Sequence, residues 1–412
     1  MALEHRFATP SNRRVLVACI FTILAALVAS ACGSESGGSS SKTIVVGTYA
    51  PQTGPNSAVF PITQATDAYF KSVNDSGGIN GYKFKYVILD DQYNPANTIS
   101  AARKLVTQDK VLAIVGGIGT ASTLAVKEYL EAQKVPSVGP STGATGAAGP
   151  YTFMMQPNAV NEGAFQVSIA AKQLANGGKI AVAYQNDDVG QPFLKGVEYE
   201  ASQLGISVTK VPFQLSTTDF TPVAIRLKSS GASVVIVAGT PQVFAPLVKA
   251  ASSVGMTPKW FGVSYAASAA ILNDLPKEQT SNMYFAMWNT LPSAPEASEM
   301  ANAMKKYYPN VAVSSLTIQG WIPGTLFGEA FKQMTADGKE PSAAELVKAL
   351  NTFKNYSNDY IRGITYDPST GVAQPHLPRP QEGVAQWQPD SSSLRLVVQY
   401  QDVPRVSGEP GQ

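Results

Sequence analysis

The sequence predicts an α/β protein built on two doubly wound parallel sheets. Three observations carry that expectation. Short apolar, β-branched runs alternate with longer amphipathic stretches, and such alternation calls for parallel strands joined through helices. The alternation runs once from residue 42 to about 139 and then restarts near 179. The chain has 412 residues, room for two cores at about 100–200 residues each.

The elements follow in order. KTIVVGT at 42–48 reads as a buried strand. Residues 59–74 read as a helix, 82–89 as a strand, and 95–108 as a helix with Asn94 as cap and Pro95 at its start. Strand 111–115, helix 120–133 and a short strand 137–139 complete the first run. In the second run, strands at 179–184, 206–213, 233–238 and 260–263 alternate with helices at 190–203, 221–229 and 242–254. Right-handed crossovers are the rule for such units. Ligands of these sheets sit beyond the carboxyl ends of the strands, so the loops after strands are where function is sought.

The N-terminus stands apart. Arg6, Arg13 and Arg14 precede an apolar run at 15–28, then Ala29-Ser30-Ala31 and Cys32. A basic start, a short apolar stretch and small residues describe an export signal (1–31). The apolar run is shorter than the ~20 residues of a spanning helix. A cysteine placed directly after the small residues resembles a bacterial lipoprotein signal, which implies lipidation of Cys32 and a chain anchored outside the cytoplasm. An ordinary secretory signal or an uncleaved anchor are the alternatives. Residues 33–42 (GSESGGSSSK) form a flexible spacer. The only other cysteine, Cys19, lies inside the signal, so an exported chain has no internal disulfide.

Composition narrows the function. Lys plus Arg number 31 against 29 for Asp plus Glu, a net charge of +2 with no basic stripe, which argues against nucleic acid. Of the two histidines, His5 lies in the signal and His376 in a proline-rich stretch. A His/Cys metal site is excluded by count, and no EF-hand spacing of carboxylates occurs. A Ser/His/Asp triad would have to use His376, and Gly262-Val263-Ser264-Tyr265-Ala266 lacks the closing glycine of a nucleophile elbow. Gly117-x-Gly119 has Ser122 at its third glycine position, and no acid follows the next strand, so a dinucleotide site is not expected. Neither an enzyme nor any cofactor is expected.

Asn74-Asp75-Ser76-Gly77-Gly78-Ile79-Asn80-Gly81, Asp90-Asp91, Pro95 and Ile114-Val115-Gly116, in this spacing, resemble the first lobe of the branched-chain amino-acid (Leu/Ile/Val) binding protein family of ABC transporter substrate-binding proteins, which have the type I periplasmic binding protein fold. The likeness extends weakly over about 43–400. It implies two lobes joined by three crossover strands, near 153–157, 283–288 and 363–367. Lobe one would be 43–155 plus 288–363 and lobe two 156–287 plus 364–400, with 401–412 a tail. It also implies a small-molecule ligand in the interlobe cleft, and permease and ATPase subunits as partners.

Within that frame the loop Gly116–Ser122 leaves a strand and opens a helix, a setting suited to a carboxylate or another acceptor-rich group. Gly119, Thr120, Ala121 and Ser122 are its candidates, Thr120 matching a contacting hydroxyl of the family; plain capping is the alternative. Ser141, Thr142 and Gly143 match a second ligand loop, Gly143 standing where a threonine is usual. Gln52 and Thr53 would line the wall of lobe one, and Phe60 would be an apolar contact. Trp321 falls where the family often turns an aromatic to the ligand, although a Trp on an apolar helix face is equally a core residue. From lobe two come Asp188, Thr240, Ser264 and Tyr265. Here the chain departs from the family: Val189 replaces a tyrosine, and Ser264 stands where amino-acid binders carry the acid that pairs an ammonium. Asp187 or Asp188 would have to supply that charge. A buried ammonium without one is costly, so an amino-acid-like molecule, an amide and a carboxylic acid all stay open.

The leading expectation is therefore a membrane-anchored capture component of an ABC importer; the alternative is a ligand sensor serving a separate signalling protein. If Cys32 is lipidated, Cys32→Ser releases the protein into the medium, as fractionation would show. Retention on the membrane would instead mean that the apolar run is the anchor.

Overall fold

The computed structural model describes residues 42–239, 241–366, 368, 376, 378 and 380–407. The stretch expected to be an export signal, Cys32 and most of the Gly/Ser-rich stretch 33–42 lie outside these residues, as does Thr240.

The first sheet contains β1 (Lys42–Ala50), β2 (Tyr82–Asp90), β3 (Ile114–Val115), β4 (Ser137–Val138) and β5 (Thr152–Phe153), in the order β2-β1-β3-β4-β5, all parallel. Its connecting helices are α1 (Pro61–Asp75), α2 (Pro95–Thr107) and α3 (Thr120–Ala132). The Asn94 side chain accepts from the Ala96 N–H at 2.9 Å and Pro95 takes the first helical position, the cap its sequence suggested. Gly77 (φ +99°) and Gly78 (φ +88°) end α1 in the left-handed region that glycine enters without strain.

The second sheet runs β12-β11-β10-β9-β8-β6-β7. Parallel strands β6 (Lys179–Gln185), β7 (Val208–Phe213), β8 (Ala232–Ala238), β9 (Lys259–Gly262) and β10 (Met283–Met287) come from the second alternating run and its continuation. They are wound with α4 (Ala159–Ile169), α5 (Gly190–Gln203), α6 (Thr221–Ser230) and α7 (Pro241–Ser253). The expectation of a purely parallel sheet needs correcting at one edge. There β11 (Glu382–Gln388) pairs antiparallel with β10, and β12 (Ser393–Gln401) antiparallel with β11. The chain turns back through a tight hairpin at 389–392, too short for a parallel crossover.

Between β10 and β11 the chain returns to the first lobe as α8 (Ser298–Tyr307), α9 (Ser315–Met334) and α10 (Ala343–Leu350). Trp288 and Tyr366 belong to the first lobe's core, while Met287 and Ala385 belong to the second's. Helix α9 is apolar nearly all round and correspondingly buried. Phe327 and Phe331 pack on Phe84 of β2 and, with Phe70 of α1, form an aromatic cluster; Phe84 and Phe331 meet edge to face at 4.9 Å between centroids. Burying each such ring stabilises the lobe by about 1.5–3 kcal/mol.

His376 is buried and stacked on Phe153 at 3.9 Å, its Nδ1 2.7 Å from the Gly149 carbonyl oxygen and its Nε2 2.7 Å from Asn351 Oδ1. Both ring nitrogens are thus occupied by structural partners, with no serine between them.

Helices α4 and α5 cross at two glycines. A Cβ on Gly196 would lie 1.7 Å from the Val160 carbonyl oxygen, and one on Gly163 would lie 2.1 Å from that of Phe193. The obstacle at each is backbone, which cannot swing aside. Gly196→Ala is expected to cost about 1–3 kcal/mol or somewhat more through overpacking, measurable as a lower denaturant midpoint with unchanged slope.

A candidate ligand-binding cleft between the lobes

The strand ends of the first sheet are held by close backbone approach. Gly116 (φ +74°) and Gly139 (φ +63°) leave β3 and β4 against Pro323 of α9; a Cβ on Gly139 would sit 2.9 Å from the Pro323 side chain. Past these glycines the two exit loops continue the ladder: Ser141 donates its N–H to the Gly117 oxygen at 2.7 Å, and Gly119 donates to the Ser141 oxygen at 3.2 Å. The pairing carries the hydroxyls of Thr120 and Thr142 to 2.8 Å from each other.

One and two turns before Pro323, on the same face of α9, stand Gln319 and Leu316. The Gln319 amide nitrogen donates to Ser141 Oγ at 2.8 Å and to Gln156 Oε1 at 3.0 Å, while its Oε1 is buried with no partner. Val59, Ile62, Ile118 and Leu316 make an apolar cluster at this end, and Tyr265 from the loop after β9 packs against it.

These groups enclose a cavity of ≈ 100 Å³. Gly119, Thr120, Ser141, Thr142 and Gly143 line it from the first lobe, with Tyr93 and Asn56; Val189, Gln242 and Tyr265 line it from the second. The Gln242 amide is buried with neither its oxygen nor its nitrogen hydrogen-bonded. An inner chamber of ≈ 40 Å³ adjoins the cavity, sharing Thr120, Gly143, Gln156, Val189 and Tyr265, and adds Glu162 and Asp188. Among the described residues, no lysine, arginine or histidine lines either space.

Several sequence candidates lie elsewhere. Gln52 and Thr53 are spent on Asp90, whose carboxylate accepts both their N–H groups and the Thr53 hydroxyl at 2.5 Å. The Ser122 hydroxyl is buried behind the helix start, 3.0 Å from Asp91 Oδ2 and 2.9 Å from the Thr98 hydroxyl. Ala121 faces solvent because the first turn of α3 points it away from the cleft. Phe60 packs at the rim of the apolar cluster and does not reach the cavity. Trp321 is fully buried in the first lobe's core, edge to face with Tyr69 at 5.2 Å, so of its two readings the core residue is the one the structure gives. Ser264 is buried just before Tyr265 but does not line the cavity. Asp187 binds Gln185 and the Val189 N–H and so is a loop-forming acid; Asp188 is exposed at the chamber.

The sequence reading missed Gln319, Gln242, Gln156, Asn56, Tyr93 and Glu162. A signal existed for two of them: Gln319 and Glu162 carry long polar side chains in otherwise apolar or small-residue stretches (SLTIQGWIPG and AVNEGAF). Polar groups there are retained against a desolvation penalty.

Glu162, in the first turn of α4, is 8% exposed, and burial raises its carboxyl well above the usual glutamate range. Glu382 on β11 is fully buried with both oxygens unpartnered; burial, then the nearby Glu162 charge, raises its carboxyl well above the usual range too. Burial likewise raises the Tyr265 hydroxyl, with Glu162 adding to the effect. The unfolded chain releases the two glutamate protons near the ordinary value of 4.5, whereas the folded protein keeps them to higher pH. Between those limits the native state binds more protons, so stability falls as pH rises. A thermal midpoint that declines from about pH 5 to 9, and declines less in Glu162→Gln, is the expected result; glutamine mimics the protonated acid.

A model of the periplasmic binding protein family matches residues 43–376. Over 226 residues the chain is 28% identical to an amino acid binding protein of Pseudomonas aeruginosa, covering 53% of this chain and 59% of that one. Over 209 residues it is 29% identical to Leu/Ile/Val-binding protein homolog 1 of Brucella melitensis, covering 48% and 54%. The matches thus span little more than half the length of these relatives. In fold the chain resembles a fatty acid ABC transporter substrate-binding protein from Thermomonospora curvata, with a TM-score of 0.74, 22% identity and coverage of 88% and 92%. It also resembles a branched chain amino acid ABC transporter protein from Thermus thermophilus with bound valine, with a TM-score of 0.75, 17% identity and coverage of 87% and 96%. At such identities the likeness concerns the fold. With two parallel-sheet lobes whose strand ends meet at a shared cleft, and a family match over most of its length, this chain belongs to the periplasmic binding protein family.

Proposed function

We propose that the chain is an extracytoplasmic solute-binding protein that captures a small molecule between its lobes and delivers it to the permease and ATPase subunits of an ABC importer. Catalysis has no part in this reading. The observation that carries it is a cleft between the lobes lined by two glutamines with unsatisfied amide atoms, both ends of the Gln242 amide and Gln319 Oε1. Buried polar groups are almost always hydrogen-bonded, and leaving one unmade costs about 1–3 kcal/mol. A guest that bonds to Gln242 from the second lobe and to Gln319 from the first would satisfy these groups and hold the lobes closed in one step.

The lining describes the guest. Val59, Ile62, Ile118 and Leu316 offer an apolar end. Beside them Thr120, Ser141 and Thr142 offer hydroxyls, and the α3 N-terminus offers a positive dipole end, a combination suited to a carboxylate or amide oxygen. A small amino-acid-like, amide or carboxylic-acid ligand with a short apolar part fits this arrangement. In the same reading Cys32 is the lipidated residue and the Gly/Ser spacer holds the body off the membrane, which leaves the cleft free to open and close.

Thr120→Val combined with Ser141→Ala is expected to weaken ligand binding by roughly tenfold or more, at about 1 kcal/mol per hydroxyl bond lost. Calorimetry with ligands found by a thermal-shift screen of amino acids, amides and short carboxylic acids tests this. Unchanged affinity in a folded double variant would remove the site assignment.

A further inference from the structure

Away from the cleft, the chain changes from one core to the other between neighbouring residues. Met287 packs in the second lobe's core and Trp288 in the first's. The next residue, Asn289, pairs antiparallel with Ile361 of the returning segment, and the Thr290 N–H donates to the Tyr360 oxygen at 3.0 Å. Tyr360, Ile361 and Ile364 belong to the first core, which anchors this link in the first lobe. Tyr400 reaches the link from the other side, since it lies on β12 and packs against the second core. Its hydroxyl donates to the Asn289 backbone oxygen at 2.6 Å, and the Arg362 guanidinium stands over its ring at 4.4 Å from the centroid. One ring of the second lobe is thus held by a hydrogen bond and a cation–π contact from the link.

The same junction carries a penalty. The Asn289 side chain is fully buried, and neither its oxygen nor its nitrogen has a hydrogen-bond partner among the described residues. Arg362 Nη1 is likewise buried and unpaired, while Nη2 donates to Thr290 Oγ1 at a long 3.4 Å. An unpaired buried amide is costly, whereas an apolar group of the same shape in its place is not. Asn289, Arg362 and Tyr400 line neither the cleft cavity nor the inner chamber, so a guest in those spaces does not satisfy them.

We propose that this junction is a conformational balance that sets how far the empty cleft closes. Tyr400 and Arg362 latch the lobes in the closed arrangement, in which Tyr265 of the second lobe packs on the first lobe's apolar cluster. The Asn289 amide works against the latch. Parting the lobes draws Tyr400 away with β12 and admits water to the amide, which ends the penalty. With latch and penalty opposed, the empty protein populates both arrangements, and a guest has an equilibrium to shift. The proposal shares with the solute-binding reading the assumption that the lobes part, but it concerns residues that no guest touches.

The test needs no guest. Small-angle X-ray scattering of the empty protein compares the wild type with Asn289→Leu and Tyr400→Leu, and circular dichroism checks that each is folded. Asn289→Leu removes the unpaired amide at nearly constant volume and is expected to lower the radius of gyration. Tyr400→Leu removes the latch and is expected to raise it. A merely structural role would lower the stability of both variants without moving the two radii in opposite senses. No shift in either variant, a shift in one alone, or shifts of the same sign overturn the proposal. They leave the solute-binding reading standing, because that reading is decided by guest binding to the wild type. Asn289→Val and Tyr400→Phe, which drops only the hydroxyl, replace a variant that does not fold, with the same expected signs. Loss of folding in all four also overturns the proposal, since the junction would then be a structural support.

Discussion

The cleft depends on the close approach of α9 to the carboxyl ends of β3 and β4. Gly116 and Gly139 can lie against Pro323 only because they have no side chain and accept positive φ. A larger residue at Gly139 would crowd Pro323, and at Gly116 it would be strained by the positive φ. With the helix in place, Leu316 and Gln319 face the exit loops, and Gln319 ties Ser141 to Gln156 on the segment that leads to the second lobe. The same approach fixes the ladder between the two loops and hence the 2.8 Å pairing of Thr120 with Thr142. One steric constraint therefore sets the apolar end, the hydroxyls and the link between lobes.

The two walls of the cleft differ in how their polar groups are satisfied. On the first lobe, Asp90, Asp91, Ser122 and Thr98 bond among themselves and to backbone, so the loops are rigid without a guest. On the second, Gln242, Glu162 and Glu382 lack such partners. A preorganised wall limits the entropy lost on binding, and an unsatisfied one concentrates the gain where the lobes must close.

The antiparallel edge of the second sheet bears on this too. Strand β11 lies between β10 and β12, and its first residue is Glu382. A parallel crossover there would have brought a helix and ended the strand elsewhere. The hairpin instead places a carboxyl beside α4, where its charge reaches Glu162.

How much could be read beforehand follows from the range of each interaction. Alternating apolar runs, the Asn94 cap, the glycines after α1 and the loops after β3 and β4 are local signals, written within a few residues, and they were legible. The strand lengths at β3 and β4, the hairpin at the sheet edge and the choice of core for Trp321 were not legible, because distant segments decide them. Nor could the sequence tell that Gln52, Thr53, Ser122 and Asp187 would be consumed by neighbouring partners while the Gln242 amide and the Gln319 carbonyl oxygen would have none. The sequence by itself determined two runs of alternating strands and helices, and hence parallel-sheet α/β structure with loops at the strand ends, since periodicity and turn chemistry act over single elements. Only the tertiary structure decided which side chains enter the cavity and which charges stay unpaired there, because burial and hydrogen-bond satisfaction depend on what packs against a residue from far along the chain.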